Sequence, residues 1–449
     1  VTMANRQPQR ALNLAQTSAI IIGTVIGSGI FINIPITAHI AGTPWLSVLI
    51  WFLGGVLWIP QIFILAELGS AYPNQGFAYH YLYKAGSPLL AFIYTWIVFI
   101  TGDTPSITII ALLAASALTF FFPVLEVSLY AKMFAAVVIA VLTAIHYRSV
   151  RTGGNFQIVI TVAKLTPLAI VVFLGLFWLG QGHFTADHET VLSGKETLFG
   201  IITAGIATTV WAYAGFGNIL YMAGEVKNPK RNLPKALIGS MLFVMLAYTL
   251  ISAGVHVIVP YDQLIAERGA IINPFIYIEP IKHYAGSIFA IAVFISMIGA
   301  LNAAIMAQPR LEYAMARDGL FFKAFAYLHP KYLTPAYSIV IQSTLAVGLF
   351  FMGDIENLLG YFTISYILGN MLVYGSIFFL RKRADYQPSY RSPWWFAMAT
   401  LSIIIQIYIV YGTFSAFPTA GVLASLGLII AGLPAYFYFA GQRKRQQTN

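Results

Sequence analysis

The sequence predicts an all-α polytopic membrane protein with twelve transmembrane helices, built as two inverted repeats of five helices followed by two more. Three observations lead there. Of its 449 residues, 59% are hydrophobic and only 9% are charged, whereas soluble chains average about 25% charged. Twelve stretches have the length and apolar character of a span, which needs roughly 20 residues. Two of these stretches are broken by glycine near their centres, at Gly27 and Gly215, 188 residues apart.

The predicted spans run over 13–40, 46–71, 88–121, 131–148, 155–180, 198–226, 234–259, 286–309, 335–352, 357–380, 393–414 and 418–440. A tail, 1–12, precedes the first repeat, 13–180. The second repeat covers 198–382, helices eleven and twelve cover 393–440, and 441–449 forms a second tail. The first span is too long for the roughly 7–15-residue core of a cleavable signal and lacks a small-residue cleavage site. Its centre reads Gly23-Thr24-Val25-Ile26-Gly27-Ser28-Gly29-Ile30-Phe31. A membrane helix must satisfy its own backbone, so this run is costly unless it faces a cavity or a ligand. The GxxxG within it has a second meaning, close packing of two helices. It is not a phosphate loop, because no Gly-Lys-Ser/Thr follows.

The third span is long enough to tilt strongly or to project from the bilayer. Residues 74–87 are short, aromatic and weakly amphipathic, and read as an interfacial helix plus loop. Residues 261–285 carry Asp262, Glu267, Arg268 and Glu279 and read as short helices over an entrance. His183, Asp187 and His188 share a polar loop and read as solvated residues rather than a metal site.

The sixth span breaks at Trp211-Ala212-Tyr213-Ala214-Gly215-Phe216-Gly217-Asn218. Five spans begin with each break, and an odd number of spans makes the two repeats inverted. Paired interrupted segments at corresponding positions point to the substrate site of a secondary transporter.

Basic residues fix the orientation. With the N terminus inside, 20 of the 25 Lys and Arg fall in inner segments and four in outer ones, leaving Lys164 within a span. Such asymmetry predicts cytoplasmic N and C termini in a cell (inner) membrane. It also turns the net charge of +10 into a topology signal and excludes a nucleic-acid partner; the partner is the lipid bilayer. The chain has no cysteine, so it forms no disulfide or thiolate metal site. No cofactor or metal is expected.

Several tracts now resemble one family. Gly27-Ser28-Gly29-Ile30-Phe31 is similar to the glycine motif of the amino acid–polyamine–organocation (APC) superfamily. Ala66-Glu67-Leu68-Gly69-Ser70-Ala71-Tyr72-Pro73, with Gly76 and Tyr79, resembles the end of its second span. Glu225-Val226-Lys227-Asn228-Pro229-Lys230-Arg231-Asn232-Leu233-Pro234-Lys235-Ala236 resembles the loop after its sixth. Leu380-Arg381-Lys382-Arg383, followed by Arg391-Ser392-Pro393, resembles the link to the eleventh span in the L-amino acid transporter (LAT) branch. The resemblance covers nearly the whole chain. It implies a LeuT-like fold with helices 1 and 6 unwound at the midplane. It also implies sodium-independent, obligatory exchange of small neutral L-amino acids such as alanine, serine and cysteine. Animal members of this branch join a heavy subunit through a cysteine between spans three and four. That loop here is Phe122-Pro123-Val124-Leu125-Glu126-Val127-Ser128, so a disulfide-linked heavy subunit is excluded.

The breaks suit an amino acid zwitterion. Backbone N–H groups near Gly27, Ser28, Gly29 and Ile30 can hold a carboxylate, since they open a half-helix with a positive dipole end. Carbonyls near Val25, Ile26, Trp211, Ala212 and Ala214 can accept from an ammonium. No charged side chain lies in either break, which argues against a substrate of large net charge. Ala212, Ala214 and Gly215 are small walls and Phe216 a bulky one. Trp211 and Tyr213 can cover the site, an outer-gate role that the resemblance implies for Trp211, or can simply fill the core.

Lys164 lies about 14 Å along its helix from Asn155, near the midplane, where a charge is expensive and usually functional. In sodium-independent relatives a fifth-span lysine takes the place of a sodium ion, and Lys164 matches it. Asp103, in the polar island Thr101-Gly102-Asp103-Thr104-Pro105-Ser106, either lines the path or accepts a hydrogen bond within the bundle. Asn302 and Tyr248 can join the site or the packing. Glu67 and Glu225 are either gate ion pairs or solvated helix ends. A membrane enzyme would need a catalytic constellation, and Lys164 with Ser28 is the only conceivable pair. A channel would need a continuous polar lining. A proton-coupled or cationic amino acid or polyamine carrier of the same fold is the remaining alternative, kept open by Asp103.

Overall fold

The computed structural model describes residues 8–27, 29–178, 197–210, 212–266, 271–351, 355–416 and 419–448. Ser28, Trp211, and the loop holding His183, Asp187 and His188 lie outside them. The helices are α1 (Leu14–Val25), α2 (Gly29–Ala41), α3 (Pro44–Val56), α4 (Ile59–Ala71), α5 (Phe77–Lys84), α6 (Pro88–Ile97), α7 (Thr104–Ala117), α8 (Ser128–Arg148) and α9 (Val150–Phe177). They continue as α10 (Leu198–Thr209), α11 (Pro229–Ile258), α12 (Tyr261–Ala266), α13 (Ala285–Ala307), α14 (Arg310–Arg317), α15 (Ala336–Gly348), α16 (Ile355–Leu380), α17 (Trp395–Ala416) and α18 (Thr419–Thr448). Apart from one parallel bridge between Leu12 and Val226, the described residues form no strand.

Among the described residues, six helices are long and apolar enough to cross a bilayer, and seven when α1 and α2 count as one span bent by 49°. The helix starts follow their caps. Asn13 and Gln16 form a capping box on α1. Ser149 caps α9 by accepting from the Thr152 N–H at 3.1 Å, so α9 begins before the polar turn that the hydropathy pattern left outside the span. In the same way α11 opens at Pro229, a proline in the first turn where its missing N–H costs nothing. The segment after Lys84 starts at Pro88 with Ser87 as its cap. Residues 77–84 form the short helix α5, and the described residues of 261–284 hold α12 and two 3-10 turns; Glu267 and Arg268 lie outside the described residues. Beyond the last predicted span, α18 carries its helix through the basic residues to Thr448.

The third span is not one α-helix. Between α6 and α7 it widens into a π-helical turn, Val98–Asp103. Pro105 has no N–H to give the Thr101 carbonyl four residues back, and its ring crowds that turn. Two hydroxyls bind neighbouring carbonyls of the turn: Thr104 Oγ1 donates to Phe99 O at 2.6 Å and Ser106 Oγ to Asp103 O at 2.7 Å. The turn sets Asp103 facing the interior.

The core surrounds α1, which packs against α9, α11 and α13, while α2 packs against α3 and α10. Helices α9 and α11 touch backbone to backbone at Gly175 and Gly254. A Cβ on Gly254 would stand 2.7 Å from the Val171 carbonyl oxygen, so only small residues allow this approach. A buried polar chain braces α8, α9 and α13. His146 Nε2 meets Asn302 Oδ1 at 2.9 Å, and Asn302 Nδ2 donates to Gln157 Oε1 at 2.6 Å. This network assigns Asn302 to the scaffold.

Candidate functional site

The first break leaves α1 with carbonyls that have no helical N–H to accept. The last bond runs from the Ile26 N–H to Ile22 O, and Ile26 itself turns extended at φ −73°, ψ 103°. Side chains from three other helices take the exposed oxygens. Lys164 of α9, buried with 2% of its surface exposed, donates from Nζ to Gly23 O at 2.6 Å and also to Ile26 O. Ser296 of α13 donates to Ile26 O at 3.4 Å. Tyr248 of α11 donates to Val25 O at 2.9 Å. The C-terminal end of α1 carries partial negative charge, and the ammonium neutralises it. Lys164 forms no ion pair with a carboxylate among the described residues.

The second break begins where α10 ends at Thr209, whose carbonyl accepts from the Ala212 N–H at 3.0 Å and the Tyr213 N–H at 3.3 Å. Gly215 then takes φ +115°, a left-handed conformation that disfavours any side chain. The chain resumes not as an α-helix but as a 3-10 run, Phe216–Glu225. The two breaks touch: a Cβ on Gly215 would meet Thr24 Cγ2 at 2.9 Å. Tyr248 joins them, because its hydroxyl lies 2.9 Å from Val25 O and 3.0 Å from Ala212 O. One proton cannot serve both carbonyls fully, so the hydroxyl is shared between two helix ends. Each carbonyl keeps a lone pair for a ligand ammonium.

Gly27, Gly29 and Ile30 stand at the first break as predicted from sequence, with Gly29 opening α2. Ala212, Ala214 and Phe216 stand at the second. Phe216 is fully buried against Trp58, with ring centroids 6.0 Å apart. Tyr213 is placed otherwise than a cover. It is fully buried, its hydroxyl donates to Trp51 O at 2.8 Å, and its ring packs 5.0 Å from Tyr248. It therefore ties the second break to α3.

A cavity of about 210 Å³ opens beside the second break. Thr24, Ala214, Gly215, Gly217 and Asn218 line one side. Trp58, Phe77, Tyr94, Tyr221 and Tyr374 make aromatic walls, and Asp103, Ser106, Gln308 and Asn370 supply polar groups. Asp103 is 5% exposed. Its Oδ1 lies 3.5 Å from the Tyr221 hydroxyl, and its Oδ2 has no partner.

Contacts flank the site at both ends. At the end carrying the N terminus, Glu225 and Arg310 form a bidentate pair at 2.9 and 3.2 Å with neither side chain exposed. Gln75 donates to the same carboxylate at 2.8 Å, and the Glu225 carbonyl accepts from the Ala11 and Leu12 N–H groups at 2.8 and 3.0 Å. Glu67 is also a buried pair rather than a solvated end. Arg381 reaches it with two contacts of 2.7 Å, joined by the Tyr386 hydroxyl and the Ser392 N–H, each at 2.7 Å. In the same loop a hydrogen bond from Arg383 holds the Asp385 carboxyl below its ordinary range. At the opposite end, Tyr261 donates to Ala38 O at 2.7 Å, the Ile272 N–H donates to Phe31 O at 3.1 Å, and the Phe31 and Phe289 rings meet edge to face at 5.4 Å.

Sequence reasoning missed Arg310, Gln75, Ser296 and Tyr221. Arg310 was counted only as part of the basic asymmetry. Its partner is 85 residues away in sequence, and no local pattern links them.

Comparison with known proteins gives one family and several transporters. The family model described as "Amino acid permease" matches residues 12–437. The b(0,+)-type amino acid transporter 1 of Mus musculus is 27% identical over 96% of this chain and 88% of its own length. The serine/threonine exchanger SteT of Bacillus subtilis (strain 168) is 27% identical over 98% of both chains. The cystine/glutamate transporter of Homo sapiens is 26% identical over 96% of this chain and 86% of its own.

The buried pair at the N-terminal end gives a direct test. Arg310→Met leaves Glu225 buried beside no cation, which costs about 3–5 kcal/mol. The double variant Arg310→Met with Glu225→Gln regains most of that stability. Melting curves of the detergent-solubilised protein measure both, and additive losses would contradict the pairing.

Proposed function

The chain belongs to the amino acid permease family, within the APC superfamily and among LAT-type transporters, and on that premise we propose that it is a sodium-independent exchanger of small neutral L-amino acids, alanine, serine and cysteine among them. It is a multi-pass membrane transporter and not an enzyme. We read its helices as twelve spans in a LeuT-like 5+5 arrangement with both termini cytoplasmic. The paired breaks and the basic asymmetry support that reading.

One observation carries the proposal: the Lys164 ammonium on the Gly23 and Ile26 carbonyls. An unwound helix end in a bilayer needs a cation to neutralise its oxygens. A tethered one does so without drawing on an ion gradient. Exchange, the activity named for the Bacillus relative, needs no ion gradient and is consistent with such a site. Backbone N–H groups around Gly27 and Gly29 take the substrate carboxylate, with Ser28 assisting. Carbonyls of the two breaks, Trp211 and Ala214 among them, take its ammonium. Ala212, Ala214 and Gly215 keep the side-chain space open. The serine/threonine exchange named for the Bacillus relative supports a small polar substrate. Without a cysteine, the chain forms no disulfide to a heavy subunit, and we propose that it acts alone.

Alternation would break one set of flanking contacts at a time. The Glu225–Arg310 pair with the Leu12 backbone would part at one end, and the Tyr261–Ala38 and Ile272–Phe31 contacts at the other. Tyr248, shared between both broken spans, suits a hinge contact that chooses between them.

Purified protein in liposomes should take up labelled alanine when a neutral amino acid is inside and no sodium is present. Equal uptake into empty liposomes would refute exchange. Lys164→Ala should lower exchange by about tenfold or more, the loss of a charge-assisted hydrogen bond, while its elution profile in detergent stays that of the parent. Full activity would remove Lys164 from the mechanism.

A further inference from the structure

We propose that a polar pocket just outside the closed contacts at the N-terminal end is a loading site, which holds the amino acid zwitterion before it reaches the breaks. The proposal rests on the reading that the chain exchanges small neutral amino acids and that this end is cytoplasmic. The pocket has a volume of about 290 Å³, that of roughly ten waters, which is room enough for alanine or serine. Its place follows from the residues that close the path. Gln75, which donates to Glu225, lines it, as does Gly224 beside Glu225. Tyr313 and Ala314 of its wall stand one turn beyond Arg310 on α14. Arg10 adds the remaining side, directly before the backbone bonds from Ala11 and Leu12 to the Glu225 carbonyl. A Cβ on Gly76 would collide with Ala314, so α14 lies against the segment that carries Gln75. Parting of the Glu225–Arg310 pair and release of Leu12 would open the floor of this pocket toward the breaks.

The charges of the pocket match both ends of a zwitterion. Arg10 and Arg317 line it, both are exposed, and neither forms a salt bridge among the described residues. A guanidinium holds a carboxylate through two parallel N–H bonds. The Arg317 guanidinium is set over the Tyr313 ring, 5.8 Å from its centroid, which steadies it at the wall. Asp318 supplies the opposite charge. The Tyr79 hydroxyl donates to its Oδ2 at 2.8 Å and fixes the carboxylate, whose other oxygen can accept from an ammonium. His80, also in the wall, is neutral at pH 7, since burial and the nearby Lys84 push its imidazole down to about 4. Two cations against one carboxylate give the mouth a positive field, and a charged cleft raises the local concentration of the ligand end it attracts.

The test is sided. Half-saturating alanine is measured at the outer face in intact cells and at the inner face in inverted membrane vesicles, with saturating serine on the far side. In the double variant Arg10→Gln with Arg317→Gln, the ratio of the inner to the outer value should rise about tenfold or more, the worth of a charge-assisted hydrogen bond. Asp318→Asn should raise the same ratio, and the double variant with lysine at both arginine positions should keep most of the wild-type ratio. An unchanged ratio in the double glutamine variant would overturn the loading site. So would an equal rise at both faces, which would mark a general effect on the transporter. A fall of the ratio in Asp318→Asn would also overturn it, because the pocket would then merely gather anions. A rise confined to the outer face would instead count against the cytoplasmic orientation, and alanine uptake into vesicles without internal amino acid would count against exchange.

Discussion

A helix broken inside a bilayer has oxygens that neither water nor its own backbone can satisfy, and the rest of this structure is arranged around that problem. Lys164 answers most of it. Its ammonium reaches the Gly23 and Ile26 carbonyls from the neighbouring helix α9 and places a positive charge where the α1 dipole is most negative. The α9 backbone can deliver it there because the two helices approach closely: a Cβ on Gly23 would collide with the Gln157 side chain. The glycine that weakens the helix is thus also the one that lets its support come near.

Tyr248 extends the same solution to the second break. Its hydroxyl stands between Val25 O and Ala212 O, so the two interrupted spans share one proton donor. Neither broken helix can shift without changing what this hydroxyl binds. Around that centre the fold has buried ion pairs at one end and hydrogen bonds with aromatic contacts at the other. Removing one partner of a buried pair is costly, so Glu225 and Arg310 could part only where water or new partners reach both groups.

Much of this was legible in the sequence because it is local. The glycine runs at Gly27 and Gly215, the basic asymmetry and the depth of Lys164 all follow from composition and spacing. The role of Lys164 was legible only through the family resemblance, which implies a fifth-span lysine in place of a sodium ion; the Gly23 and Ile26 carbonyls it reaches are seen in the structure. The rest is tertiary. The Glu225–Arg310 pair joins residues far apart in sequence, and Tyr213 sits in a span that gave no hint of its bond to Trp51. The π-helical turn had a visible cause, Pro105 after Gly102, but hydropathy alone smooths over it. The 3-10 continuation after Gly215 depends on packing against α1 and α5, which no local propensity encodes.

The central claim is that a fixed ammonium holds the broken first span in place. Amide hydrogen exchange over residues 19–31, compared between the wild type and Lys164→Ala, tests it most directly. The account predicts that protection falls sharply at the break and at the second break near Ala212, while α9, α11 and α13 keep theirs. Unchanged protection across residues 19–31 in a variant without the ammonium would contradict it.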